Sequence, residues 1–452
     1  MIAPLKYGTW TQVTPPRPSF AFPLATMLAK KYPADSILAF GCLLFIATSF
    51  GAAISTSSNE FILNRFGQGI SSGLAIVVAQ NVLFRAVGEN NRTFAVALWT
   101  SAISLAPVFG PLVGAFITQH LSWRWLFLIN VPLIALSLLL IVDLLDFKNK
   151  PEESGNFGIY SIVAFGIGLT GFQYVVDFGE FRGWFNDPVI VLSSIIALIG
   201  LSLFFILNRI KKFSVFDLSI FKDSSYALAT VILCLGNGMI FTSLVILPIW
   251  LQKIYGLPII EAGLVLSASS LIAALMTPFI GKYLDKKYFL MASGVSLLAT
   301  AISFYLMSDF TTDSSHSTIL YSRLIAGIGL AFFSVPLTAL SLSNIPADKI
   351  VNANSISMIL RIMGSNVMVS LSFYFYKEKT VEYNSELTSN FDRFTILDTF
   401  KEFPSHLFTY ISNHSNTQSL NYMSLVVAIF FVLFFVLVMS ISIRNQRHTV
   451  RS

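Results

Sequence analysis

Three arginines stand where a charge is expensive. Arg65, Arg323 and Arg361 all fall inside long apolar runs, and a guanidinium near the middle of a lipid-length helix costs roughly 2.5 to 3.5 kcal/mol on insertion scales. Such a residue is kept for a function or for an internal pair. Arg361 sits deep in its run and cannot easily reach an interface, so a cavity or a pairing role is expected. Arg65 lies near the start of its run, and a long stem carrying its charge to the interface is the bland alternative. For Arg323 an anchoring role and a transport role stand open alike. Carboxylates are the complement: Glu60, Asp143, Asp146, Asp177 and Glu261 all lie at the ends of apolar runs, so no acid is expected at mid-membrane. Cys42 and Cys234 lie in apolar runs, and His120, His316, His406, His414 and His448 are scattered without ligand spacing. No metal site, no cofactor and no disulfide framework is expected.

Two soluble-enzyme patterns occur and carry no enzyme chemistry here. Gly166-Ile167-Gly168-Leu169-Thr170-Gly171 fits G-x-G-x-x-G, and Gly69-Ile70-Ser71-Ser72-Gly73 fits G-x-S-x-G. Both lie inside lipid-length helices rather than on the strand-turn-helix that gives either pattern its mechanism. Pro107, Gly110, Pro111 and Gly114 should bend their helix and admit a neighbouring backbone, because proline breaks the hydrogen-bond ladder and glycine has no Cβ. Asn237, Phe241 and Trp250, on one apolar run, are candidates to line an apolar cavity.

The elements that must carry these residues follow from composition. The 452 residues are 55% apolar and only 12% Asp, Glu, Lys and Arg, against about 25% charged residues in a soluble chain. Lipid must therefore surround most of the surface, which excludes soluble enzymes and nucleic-acid-binding proteins. A helix crosses the hydrocarbon with about 20 apolar residues. Twelve such runs are expected, at 37–57, 61–84, 94–118, 125–145, 157–176, 189–207, 226–251, 262–280, 288–307, 318–342, 351–376 and 422–443. The formal charge of +6 bears on topology. One set of alternate connections with the C-terminal tail holds seventeen Lys and Arg, among them Lys30, Arg85, Lys212, Lys286, Lys349 and Arg447. The other holds seven: Arg124, Arg182, Lys253, Lys377, Lys379, Arg393 and Lys401. Basic residues stay on the cytoplasmic side, so the C-terminus is expected inside, and 377–419 reads as a long polar external loop.

The chain also repeats itself. Leu28-Ala29-Lys30-Lys31-Tyr32 recurs as Leu284-Asp285-Lys286-Lys287-Tyr288, and Arg65-Phe66-Gly67-Gln68-Gly69-Ile70 is echoed by Arg323-Leu324-Ile325-Ala326-Gly327-Ile328. The offsets are 256 and 258 residues. Nearly equal offsets in preserved order point to a duplicated helix bundle.

With these residues in view, the chain resembles the major facilitator superfamily, specifically its EmrB/QacA-type drug:proton antiporters. The most specific matches are Asn64-Arg65-Phe66-Gly67-Gln68-Gly69, Ala106-Pro107-Val108-Phe109-Gly110-Pro111-Leu112-Val113-Gly114, Trp123-Arg124-Trp125-Leu126-Phe127-Leu128-Ile129-Asn130-Val131-Pro132, and Gly281-Lys282-Tyr283-Leu284-Asp285-Lys286-Lys287. The resemblance implies an all-α membrane protein of two six-helix bundles around a cavity, with two helices inserted between them. That divides the chain into an N-terminal bundle over 1–150, the inserted pair over 151–210, and a C-terminal bundle over 211–452. It implies that Arg65 and Gln68 serve proton coupling, that the helix of Pro107, Gly110, Pro111 and Gly114 seals one side of the cavity, and that Gly281, Asp285, Lys286 and Lys287 form a cytoplasmic gating latch. Ala115 departs from the usual second glycine, and Ala25 and Ala29 weaken the latch in the N-terminal copy. Arg361 joins Asn237 and Phe241 as a candidate cavity residue. The implied activity is multidrug efflux of amphipathic compounds in exchange for protons across a bacterial inner membrane. A periplasmic membrane-fusion adaptor and an outer-membrane channel are the implied partners. Export of a siderophore or metabolite is the alternative within this architecture. Counting spans between the two loop copies expects two helices ahead of Lys30, where only 20–29 is continuously apolar after Pro15-Pro16-Arg17-Pro18. The chain as written is therefore expected to lack its first helix, together with the coupling carboxylate that the resemblance places there, and to insert without proton-driven efflux, which leaves a non-transporting remnant as a further alternative.

Overall fold

The computed structural model describes residues 28, 32–88, 94–95, 98–99, 102, 110, 113–114, 116–117, 120–145, 159–179, 182–210, 216–346, 349–395 and 405–449. They form helices α1 (Ala34–Ile54), α2 (Ser58–Val87), α3 (Trp125–Ile141), α4 (Ile159–Phe178), α5 (Pro188–Arg209), α6 (Ser224–Lys253), α7 (Ile259–Tyr283), α8 (Phe289–Met307), α9 (His316–Leu342), α10 (Ile350–Thr395) and α11 (Ser405–Thr449). Ten of these are long and apolar enough to cross a membrane, and α3 is shorter. Eleven of the expected spans coincide with helices; the run at 94–118 lies largely outside the described residues. Polar side chains set several starts. Asp187 accepts from the Val189 N–H ahead of α5, where Pro188 has no N–H and needs no acceptor, and Asp223 accepts from the Tyr226 N–H ahead of α6.

One expectation is corrected. The stretch 377–419, read as a polar loop, is helical over 377–395 and 405–419. At 1.5 Å per residue the 46-residue α10 and 45-residue α11 each far exceed the ~30 Å hydrocarbon. No glycine or proline interrupts 377–395, and the two helices hold each other. Tyr376 donates to Asn416 Oδ1 at 2.9 Å, Thr380 Oγ1 to Ser419 Oγ at 3.0 Å, and the Lys379 ammonium lies 5.1 Å from the Tyr422 ring centre. Polarity alone marked this segment as loop; periodic packing makes it a hairpin.

The chain forms two compact units: Met1–Arg92 with Phe116–Ser219 and Ala347–Met363, and Thr93–Ala115 with Ile220–Pro346 and Gly364–Ser452. In the first, α1 packs on α2 and α4 on α5. The glycine pattern in α4 serves that packing: a Cβ on Gly200 would stand 2.6 Å from the Gly168 Cα, and one on Gly171 2.8 Å from the Ser193 carbonyl oxygen. In the second unit α8 packs on α9 and α11, and α9 on α6 and α7. Its core joins Trp250, Phe304, Phe310, Phe333 and Phe431, with Phe304 stacked on Phe431. Among the described residues just two charged side chains are buried, Asp35 and Arg323.

Candidate transport and coupling site

The α1–α2 hairpin is built from its turn outward. Ser57 Oγ accepts from the Glu60 N–H, and Glu60 accepts in return from the Thr56 and Ser57 N–H groups at 3.0 and 3.3 Å. This reciprocal box starts α2 and gives Glu60 a capping role. The helices then cross closely, since a Cβ on Gly67 would stand 2.6 Å from Thr48 Cγ2 and one on Gly51 2.8 Å from Asn64 Cγ. That register brings Gln68, almost wholly buried, against the buried Ser49, to which its Nε2 donates at 2.7 Å. Arg65 Nη1 donates to Gln68 Oε1 at 2.9 Å, and its guanidinium lies 5.6 Å from the Phe127 ring centre. The expected coupling pair is thus one hydrogen-bonded chain, Arg65–Gln68–Ser49, capped by an aromatic face. None of its three side chains releases or takes a proton near neutral pH, so the chain can position charge but cannot itself carry the proton.

Sequence reasoning missed the acid at the opposite end of this hairpin. Asp35, in the first turn of α1, is fully buried and takes a 2.5 Å ion pair from Arg85 at the end of α2. The cue was available: an acid two residues after Pro33 belongs to the helix's first turn, and a span drawn from residue 37 leaves it out. A second missed cluster clamps the start of α10. Lys349 Nζ lies 2.7 Å from Asp217 Oδ2 and donates to Ser219 Oγ at 3.2 Å, and Asn352 donates to the Asp217 carbonyl at 3.3 Å. The Lys349 ammonium, helped by the Ser219 hydroxyl and N–H, pushes the Asp217 carboxyl down to about 2. One turn further, Asn354 donates to Gln80 at 3.4 Å, while Asn354 Oδ1 and Ser357 Oγ are buried without a partner.

The other expected residues fall out as follows. Asn237 Nδ2 donates to Ser365 Oγ at 2.9 Å where α6 crosses α10, and Gly238 permits the crossing: a Cβ there would stand 2.5 Å from the Met368 Cβ and 2.9 Å from the Gly364 carbonyl oxygen, while one on Gly236 would meet Phe333 of α9 at 2.7 Å. Phe241, a turn on, is half-exposed, and Arg361 is half-buried within the α10 segment that belongs to the first unit. Trp250 is corrected from cavity lining to core: it is wholly buried, stacks on Phe310 and donates to Thr417 Oγ1 at 3.0 Å. A Cβ built on Gly110 or Gly114 would meet no described residue within 4 Å; Pro107 and Pro111 lie outside the described residues. Gly281 is buried at the end of α7, Asp285 is exposed with no ion pair to a described residue, Lys287 lies over the Tyr288 ring, and the Lys286 side chain lies outside the described residues. The candidate latch residues thus share one loop at the end of α7, and among the described residues Asp285 makes no ion pair.

Arg323 on α9 reaches back to Ser303 on α8, and a Cβ on Gly329 would stand 3.0 Å from the Thr300 nitrogen, so α9 crosses α8 closely. Solved structures share the fold: the proton:xylose symporter XylE at TM-score 0.56 and 18% identity, covering 95% of this chain and 86% of that one, and an auto-inhibited POT family peptide transporter at TM-score 0.60 and 12% identity, covering 94% and 87%. Among relatives, the probable multidrug resistance protein EmrY of Escherichia coli is 28% identical over 93% of this chain and 85% of its own length. The multidrug export protein EmrB of the same species is 25% identical over 86% and 77%, and the fatty acid resistance protein FarB of Neisseria gonorrhoeae 28% over 77% and 69%. Residues 18–368 match the Major Facilitator Superfamily. This multi-pass, all-helical chain belongs to the Major Facilitator Superfamily as a transporter of the EmrB/QacA type, and not to the enzymes.

Proposed function

We propose that the protein exports amphipathic small molecules across a bacterial inner membrane in exchange for protons, with its C-terminus in the cytoplasm. The observation that carries the coupling half of this reading is the Arg65–Gln68–Ser49 chain, a cation held by a buried amide near the turn of a tight helix pair. A fixed guanidinium favours the ionised form of a carboxylate brought near it, which is what release of a transported proton requires. The export half rests on likeness to EmrY and EmrB, which are named for multidrug resistance and export. One proton descending 100 mV releases about 2.3 kcal/mol, enough for a roughly fifty-fold cargo gradient. Phe241 and Asn237 on α6 and Arg361 on α10 are the proposed cavity residues, the 281–287 loop the cytoplasmic gate, and Gly110 and Gly114 part of the sealing helix. An adaptor and an outer-membrane channel would take the cargo onward. Arg65→Ala tests the coupling role: proton-dependent dye efflux should fall by at least tenfold at unchanged expression, and Arg65→Lys should recover little, because a compact ammonium lacks the forked donor set. Efflux at the normal rate in Arg65→Ala would reduce Arg65 to an interfacial anchor.

A further inference from the structure

Helices α7 and α9 touch closely at one level and leave a groove at another. A Cβ on Gly327 would stand 2.7 Å from the Ser269 carbonyl oxygen, so the two backbones all but meet there. Further along, the contact passes to a small cluster of Ala273 and Ile280 with Ala331 and Val335. The alanines give this floor little height. The long side chains stand at the rim, where Phe279 and Tyr283 are 65% and 68% exposed. Between floor and rim lies a groove of about 470 Å³, lined by Met276, Phe279, Ile280, Tyr283 and Leu284 of α7 and by Phe332 of α9. Every lining side chain is apolar except for the Tyr283 hydroxyl, and the volume lies in the range of small-ligand sites.

The groove ends where α7 ends, and the charge there is one-sided. Residues 282–287 hold Lys282, Lys286 and Lys287 against Asp285 alone. Lys282 and Lys287 are exposed, and neither makes an ion pair with a described residue. Their ammoniums rest on tyrosine rings instead, Lys282 Nζ 5.1 Å from the Tyr283 centre and Lys287 Nζ 4.7 Å from the Tyr288 centre. A phosphate oxygen is a stronger partner for an ammonium than an aromatic face, because it adds a charge-assisted hydrogen bond. Tyrosine, with its apolar body and polar tip, marks the depth of the membrane interface. From that interface inward the order is cation, ring and apolar channel, which is the order of phosphate, glycerol and acyl chain in a phospholipid. The groove of about 450 Å³ between α8 and α11 has no lysine beside its lining residues, so charge sets the α7–α9 groove apart.

We propose that this groove binds an anionic phospholipid, with one acyl chain lying between Met276 and Phe332 and the headgroup phosphate held by Lys282 and Lys287. Basic clusters at a helix end beside a lipid-facing cleft select such headgroups by charge. The site stands apart from cargo and coupling, and its occupancy is measured without transport. The purified full chain in neutral detergent is titrated with phosphatidylglycerol, with phosphatidylcholine of the same chains, or with glycerol phosphate, at equal ionic strength, and thermal unfolding is followed. Phosphatidylglycerol should raise the melting midpoint progressively, as a ligand of the folded state does. Phosphatidylcholine should raise it clearly less, and glycerol phosphate, which has the charge without the chains, should not raise it. Lys282→Gln combined with Lys287→Gln should lose the excess shift given by phosphatidylglycerol. Lys253→Gln combined with Lys377→Gln removes the same formal charge elsewhere on the chain and should keep it. Met276→Trp, which fills the groove and spares both lysines, should lose it. An equal shift with phosphatidylcholine, a full shift in the Lys282 and Lys287 variant, or an equal loss in the Lys253 and Lys377 variant would overturn the proposal and leave the groove as unselective lipid-facing surface. A full shift in Met276→Trp, or one matched by glycerol phosphate, would overturn it as well, because the anion would then bind without the groove.

Discussion

The ion pair at the base of the α1–α2 hairpin makes an asymmetric prediction. Asp35 is fully buried while the Arg85 side chain is 43% exposed, so the two partners have different escapes when the other is removed. Replacing Arg85 by glutamine strands a carboxylate in the protein interior. Breaking a buried pair from one side costs about 3–5 kcal/mol, and the wet half of Arg85 puts this pair at the low end, about 3 kcal/mol. Asp35→Asn removes the charge but keeps the shape and most of the hydrogen-bonding capacity, and Arg85 can turn to the interface; that loss should be about 1 kcal/mol. The double variant should resemble Asp35→Asn alone, because neutralising the acid removes the reason for the larger penalty. Melting in detergent reads this as an order: parent, then Asp35→Asn together with the double variant, then Arg85→Gln lower by several degrees. Arg85→Gln melting at or above Asp35→Asn, or a double variant equal to the sum of the singles, would show that Asp35 does not depend on Arg85 in the fold.

Two further expectations concern the first unit. Gly200→Val should push α4 and α5 apart, since even a Cβ would stand 2.6 Å from the Gly168 backbone; overpacking of this kind costs about 1–3 kcal/mol, read as a lower melting midpoint and as protease access to the 179–187 turn. Asp217→Asn should lower stability by about 1 kcal/mol or less, because the Lys349 pair is partly exposed. Its pH dependence has a fixed sign. The Asp217 carboxyl lies at about 2 in the fold against ~3.9 in an unfolded chain, so the contribution is fully present above pH ~4 and disappears as pH falls through about 2. The difference between parent and Asp217→Asn should therefore be flat from pH 5 to 9, and a slope in that range would contradict the assignment.

Much of this was legible in residue order. Lipid-length apolar runs forced the helices, because the backbone has no other way to satisfy its hydrogen bonds in hydrocarbon. The motif around Arg65 held the amide that Arg65 contacts, Gln68. What it did not name was Ser49, nineteen residues earlier, since that contact depends on the register in which α1 crosses α2. Asp35 was hidden by a span boundary drawn two residues late, and the Lys349–Asp217 clamp by a separation of more than a hundred residues. The 377–419 hairpin was hidden because a polar helix paired with another polar helix carries no strong apolar stripe. Trp250 failed in the opposite sense: an aromatic in an apolar run reads alike whether it faces a cavity or the core, and only its hydrogen bond to Thr417 decides.

Everted membrane vesicles from cells expressing the protein from its own gene test proton-driven export directly. On acidification of the lumen, such vesicles should accumulate an amphipathic fluorescent dye, return protons outward as they do so, and lose the dye when an uncoupler collapses the gradient. Dye uptake that persists undiminished after the uncoupler, or dye movement with no accompanying proton flux, would contradict the account.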